Sequence, residues 1–195
     1  MDGTILFLWV PKIFFALLFV VLGLWAFRHR VIKTAYVFWI IILYFVERIV
    51  EIALRTYLTA ESLTKYDPSS FEYLKIEAII GPSLRAVIIK QLVIIAIAFC
   101  VWAFLAVYAK RTHYQKIDSA DVLLFSFGTL ISGWPNFLIY IGLVFIFAAI
   151  GLTVQRIVKK EVSRIIVTPY FAAAGIVILF WGWELSRFIG LYALR

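Results

Sequence analysis

Apolar residues form long uninterrupted runs in this chain, and short polar segments separate them. The runs 5–27 and 34–54 each reach the ~20 residues that a helix needs to cross a hydrocarbon core of about 30 Å. Further runs cover 84–109, 119–156 and 165–192. The pattern predicts an all-α protein, a polytopic transmembrane helical bundle that forms a single domain over residues 1–195.

The run 119–156 is too long for one crossing. As a single helix of about 37 residues it would extend ~55 Å. The sequence Gly-Trp-Pro-Asn at 133–136 interrupts it, and proline removes a backbone donor and clashes with the preceding turn. Two alternatives follow: either 119–133 and 136–156 form a tight hairpin, or the first part lies at the membrane interface and only the second crosses.

Loop charge favours the hairpin. In that arrangement the segments 28–33, 110–121 and 156–164 share one side, and together they carry ten basic residues. A single crossing would move the last of these segments to the other side and remove the bias. Because cytoplasmic loops collect Lys and Arg, we expect six embedded segments, the fourth short or re-entrant, in the plasma membrane with both termini non-cytoplasmic.

The polar region between the second and third runs contains one further predicted element. Residues 69–80 have the pattern of a short amphipathic helix that opens on a serine cap and closes before the Gly-Pro pair at 81–82. We expect this helix to lie on the outer surface.

Composition supports the membrane assignment. The chain is 65% hydrophobic and only 15% charged, whereas soluble domains carry roughly a quarter charged residues. The net charge of +8 lies mainly in short loops beside apolar runs, which is typical of orientation signals. We therefore expect membrane lipids as partners and no nucleic acid. The single cysteine, Cys100, excludes an intrachain disulfide.

Seven ionisable residues interrupt the apolar runs at a similar predicted depth beneath the non-cytoplasmic surface. A charge at mid-depth costs ~2.5–3.5 kcal/mol on insertion scales and often marks a functional site. Within this set, spacings of three and four residues place side chains on one helix face. The seven residues are Lys12, Glu47, Arg48, Glu51, Lys90, Glu184 and Arg187.

Two interpretations of this charged set remain open. In the structural one, long basic side chains extend to the interface and each acid pairs within its own helix. In the functional one, Arg48, Lys90 and Arg187 bind a carboxylate or phosphate. Lys12 would lie beside them, and the acids Glu47, Glu51 and Glu184 would be counter-charges. A variant makes Glu47 or Glu184 the titrating group of a proton or ion path.

Motifs for catalysis and metal binding are nearly absent from the sequence. Both histidines, His29 and His113, lie in predicted cytoplasmic loops, which argues against a haem held between helices. His113, Asp118 and Asp121 could bind a divalent ion, but a solvated loop in which Asp121 caps the next helix explains them better. We expect no catalytic residues, no metal, no cofactor and no enzymatic activity.

The leading hypothesis is a small transporter or channel-type protein that binds an anionic or amphiphilic solute at the outer-leaflet charged cluster. At this size we expect it to work as a homo-oligomer or with other membrane subunits. The alternative is a non-catalytic structural or assembly subunit of a larger membrane complex. A membrane enzyme acting on lipid has less support because no general base or metal site is evident.

Overall fold

The computed structural model describes residues 3–29, 33–66, 73–113, 117–159 and 167–191. Helix dominates these residues, and they contain no strand, which confirms the prediction of an all-α protein. Six α-helices follow one another: α1 (Gly3–His29), α2 (Thr34–Tyr66), α3 (Tyr73–Arg111), α4 (Ser119–Ser132), α5 (Phe137–Lys159) and α6 (Thr168–Phe188).

Within the described residues, four helices are long and apolar enough to cross a membrane. Their apolar stretches are Trp9–Ala26, Leu84–Arg111, Phe137–Ile157 and Thr168–Phe188. The protein is therefore a membrane-embedded helical protein. Two helices fall outside this description, α2 because three charged residues interrupt its apolar half and α4 because it has only 14 residues.

Helices α2 and α3 extend well past the predicted runs. Their 33 and 39 residues correspond to ~50 Å and ~58 Å, more than the membrane core needs. The helix predicted over 69–80 is not a separate element, since its part from Tyr73 onward forms the first turns of α3, and 69–72 lie outside the described residues. Pro82 lies inside α3 and removes one backbone hydrogen bond, but a continuous helix still satisfies the other backbone polar groups.

Ring contacts define how α1 and α2 run. Phe15 packs on Tyr44 with ring centroids 5.8 Å apart, and Trp25 packs on Tyr36 at 6.3 Å. Later residues of α1 thus meet earlier residues of α2, so the two helices are antiparallel neighbours.

Helix α4 runs parallel to α2 and ends part-way along it. The hydroxyls of Thr34 and Ser119, the first residues of the two helices, lie 3.2 Å apart, and the Tyr44 hydroxyl donates to the Leu130 carbonyl at 3.3 Å. Tyr44 lies ~15 Å along α2, and α4 is ~21 Å long. The end of α4 is therefore beside the interior part of α2.

This short helix is the centre of the bundle, because it contacts α2, α3, α5 and α6. All its residues from Ala120 to Ser132 except two are buried. The hydroxyls of Ser126 and Thr129 donate to carbonyls four residues earlier, at 2.9 and 3.0 Å. These two buried hydroxyls are thus satisfied within the helix, as an apolar environment requires.

The two ends of α4 have clear local causes. Asp118 has an extended backbone, and its carboxylate accepts from the Ser119 N–H at 2.6 Å, so Asp118 is the N-cap. The sequence predicted Asp121 for that role; it lies instead in the first turn, where negative charge is favourable. The helix ends at Gly133, whose φ of 70° lies in the region that favours glycine.

Candidate functional site

Three of the predicted charged residues form one group on α2. Arg48 donates from its terminal nitrogen to the Glu51 carboxylate, and its Nε lies 3.6 Å from Glu47 Oε2. The side chains are 34% exposed for Arg48, 22% for Glu47 and 15% for Glu51. Arg48 thus links the two carboxylates that the four-residue spacing predicted on one face. We call Glu47, Arg48 and Glu51 the α2 ion group.

The α2 ion group is tied to the bundle core through Tyr44. The Arg48 guanidinium lies over the Tyr44 ring, 5.1 Å from its centroid, an arrangement that contributes about 0.5–2 kcal/mol. The tyrosine is fully buried, and its hydroxyl donates to the carbonyl of Leu130, in the last turn of α4. Gln91 on α3 donates to the same hydroxyl at 3.4 Å. Residues of three helices therefore position the guanidinium.

Arg48 retains hydrogen-bonding capacity. Its buried Nε forms an ion pair with Glu47 Oε2 at 3.6 Å, too long for a hydrogen bond, and neither atom has a hydrogen-bond partner among the described residues. A guanidinium presents five donors in a planar fork that fits a carboxylate, sulfonate or phosphate. A buried polar atom of this kind calls for an explanation.

The other four predicted residues occupy exposed positions. Lys12 on α1 lies with its ammonium 5.3 Å from the centre of the Trp9 ring, one turn earlier on the same helix. Lys90 on α3 precedes Gln91, and Glu184 and Arg187 lie near the end of α6. The structure brings the α2 ion group together, whereas a single pocket lined by all seven residues stays a prediction.

A second polar region, which the sequence did not predict as a site, follows α4. Asn136 is 9% exposed and Tyr140 is fully buried, yet Asn136 Oδ1 and the Tyr140 hydroxyl have no hydrogen-bond partner within the described part of the chain. One signal was present in the sequence, since Asn136 is the only asparagine of the chain. A tyrosine in an apolar run gives no such signal.

The acids at the start of α4 are engaged in structural contacts. Asp118 caps the helix, and Asp121 accepts a hydrogen bond from the hydroxyl of Thr168 at the start of α6. Over the described residues, no three His, Cys, Asp or Glu side chains are grouped so that they could hold a metal ion.

Comparisons with protein-family models, with curated proteins and with solved structures gave no match to this chain. The apolar helices identify a membrane-embedded protein. The α2 ion group and the buried polar residues after α4 are the features of this bundle whose polar atoms need an explanation.

Proposed function

We propose that the protein is a transporter or channel-type membrane protein that binds a small anionic or amphiphilic solute at the α2 ion group. The observation that carries this proposal is the buried Nε of Arg48, which has no hydrogen-bond partner among the described residues. A solute anion would accept from it in a charge-assisted hydrogen bond, in place of the Glu47 carboxylate. Lys12, Lys90 and Arg187 would add positive charge around it, and Glu184 negative charge.

The surroundings of Arg48 favour a solute with an apolar tail. Ile49, the next residue of the helix, is 67% exposed. An anionic head at Arg48 would therefore have an exposed aliphatic side chain on the adjoining face of α2 for its tail. Burial of a short alkyl chain is favourable by ~0.8 kcal/mol for each methylene.

The proposal includes six embedded segments, with α4 crossing only part of the membrane. Irregular backbone at membrane depth is tolerated where protein buries it or where it lines a water-filled cavity. Pro135 and Asn136, in the turn after α4, are buried. The basic segments at the end of the bundle where α2 and α4 begin support a cytoplasmic location for that end in the plasma membrane, with both termini on the other side.

Uptake of 1-octanesulfonate into liposomes that contain the purified protein tests the solute site. This probe is permanently anionic and has a short apolar tail. We expect saturable uptake by the wild type and at least a tenfold lower rate for Arg48→Met, because the variant keeps an unbranched apolar side chain but has no hydrogen-bond donors.

The matched control is Arg111→Met, which removes an exposed arginine at the last residue of α3. This variant should leave uptake within twofold of wild type. Octyl glucoside, a neutral molecule with the same tail, should not compete. Equal uptake by wild type and folded Arg48→Met would refute the solute site.

A second candidate function is that of a non-catalytic subunit of a larger membrane complex. The exposed apolar side of α3 favours it, since Ile89, Phe99 and Phe104 are 60%, 63% and 73% exposed. A second copy of the chain or another membrane subunit could cover this side. Absence of uptake by the wild type, together with a co-purifying subunit in lipid nanodiscs, would favour this candidate.

A further inference from the structure

Asn136, the last residue before α5, and Tyr140, one turn later in α5, lie on the buried side of the bundle where α5 meets α4 and α6. The Tyr140 N–H donates to the Asn136 carbonyl at 3.0 Å, so the two residues belong to one helical turn and share a face. Asn136 Oδ1 and the Tyr140 hydroxyl are both buried, and neither has a hydrogen-bond partner among the described residues. We call Asn136 and Tyr140 the α5 polar seam.

Two glycines on neighbouring helices make room for these side chains. A Cβ at Gly182 on α6 would lie 3.2 Å from Asn136 Nδ2, and a Cβ at Gly128 on α4 would overlap the Tyr140 ring. The amide and the hydroxyl therefore point at the backbones of α6 and α4 inside the bundle rather than toward lipid. Larger residues at either glycine would close this space.

Chemistry restricts what could bind these atoms. An unbonded polar group in the interior is unfavourable, and proteins commonly satisfy such groups with buried water that makes about three hydrogen bonds. An ion is disfavoured because the buried polar side chains of the described residues are all uncharged; they are Ser126, Thr129, Ser132, Asn136, Thr168 and Ser186. The ligand of the seam must therefore be small and neutral.

We propose that the α5 polar seam binds ordered water. Asn136 Oδ1 accepts a hydrogen bond from water, and the Tyr140 hydroxyl exchanges hydrogen bonds with water at the next turn. This water site goes beyond the solute site at Arg48 and does not depend on it.

The sign of a stability change tests the proposal. Tyr140→Phe removes only the hydroxyl, and we expect it to raise the unfolding equilibrium constant about two- to tenfold, because a satisfied hydrogen bond is lost. Tyr44→Phe is the matched reference, since Tyr44 is equally buried and its hydroxyl bonds to protein atoms. An unchanged or lower unfolding constant for Tyr140→Phe, beside a raised one for Tyr44→Phe, would overturn the proposal.

X-ray radiolysis of the unmodified protein in ¹⁸O-labelled water gives a second test that needs no variant. Hydroxyl radicals form at bound water and oxidise the nearest side chain. We expect Tyr140 to incorporate ¹⁸O at least threefold faster than Tyr44, although both are buried. If Tyr140 incorporated ¹⁸O no faster than Tyr44, no water would be bound at the α5 polar seam and the proposal would be overturned.

Discussion

Two glycines within the bundle have opposite surroundings, and this difference predicts opposite effects of the same substitution. Gly128→Ala places a Cβ into the ring of Tyr140, which is fully buried and packed against Phe125 at 5.6 Å. We expect it to lower the free energy of unfolding by about 1–3 kcal/mol. Thermal unfolding in lipid nanodiscs measures the effect.

The control is Gly142→Ala on α5, where a Cβ would meet nothing within 4 Å. Alanine favours the helix over glycine by about 0.8–1.0 kcal/mol, so this variant should be neutral or more stable. Similar losses of stability in the two variants would contradict the close packing of Gly128 against Tyr140.

At this scale the sequence could predict the contacts that one helix makes by itself. The spacing of Glu47, Arg48 and Glu51 places these side chains within reach in any helix, whatever its neighbours. The same spacing places Tyr44 one turn before Arg48, but it could not predict that the Tyr44 hydroxyl would donate to Leu130 on α4 or that Tyr140 would be buried. Those contacts depend on which helices become neighbours, and an uncharged residue in an apolar run does not stand out.

At the scale of whole helices, one hydrogen bond joins the first turns of α4 and α6. Thr168→Val removes the hydroxyl that donates to Asp121, and we expect a loss of about 1.5–3 kcal/mol, because hydrogen bonds to a charged group are stronger than neutral ones. Chemical unfolding of the purified protein checks the value.

Thr153→Val is the matched control for this bond. Its hydroxyl is exposed and donates at 2.9 Å to Ala149 within α5, so its removal should change stability by no more than about 0.5 kcal/mol. If both threonine variants lost equal stability, the bond to Asp121 would not be what joins the helices.

A helix end inside an apolar run could be predicted where glycine and proline interrupt the backbone. The Gly-Trp-Pro-Asn sequence at 133–136 gave the break between α4 and α5, because glycine and proline act on the backbone directly. At the polar end of α2 and the start of α3 hydropathy changes while the helix continues, and α3 also continues through Gly81-Pro82. The apolar runs therefore do not predict how far a helix extends beyond the membrane.

At the scale of the whole molecule, the proposed orientation can be tested from outside the cell. In a Cys100→Ser background, Glu61→Cys near the end of α2 and His113→Cys after α3 place single thiols at opposite ends, because Glu61 is ~40 Å along α2 from Thr34. We expect a membrane-impermeant maleimide added to intact cells to label Glu61→Cys but not His113→Cys.

Detergent-solubilised protein is the control, and there both cysteines should react. Labelling of His113→Cys in intact cells, with Glu61→Cys protected, would reverse the orientation. Equal labelling of both would place the two ends on the same side and contradict the bundle as a membrane-spanning unit.

The central position of α4 has a consequence for how the chain is made. During synthesis α4 emerges before α5 and α6, two of the helices that it contacts. It is too short to anchor itself across a bilayer. The hydroxyls of Ser126, Thr129 and Ser132 donate to carbonyls of the same helix. These polar groups therefore remain hydrogen-bonded in lipid before α5 and α6 are inserted.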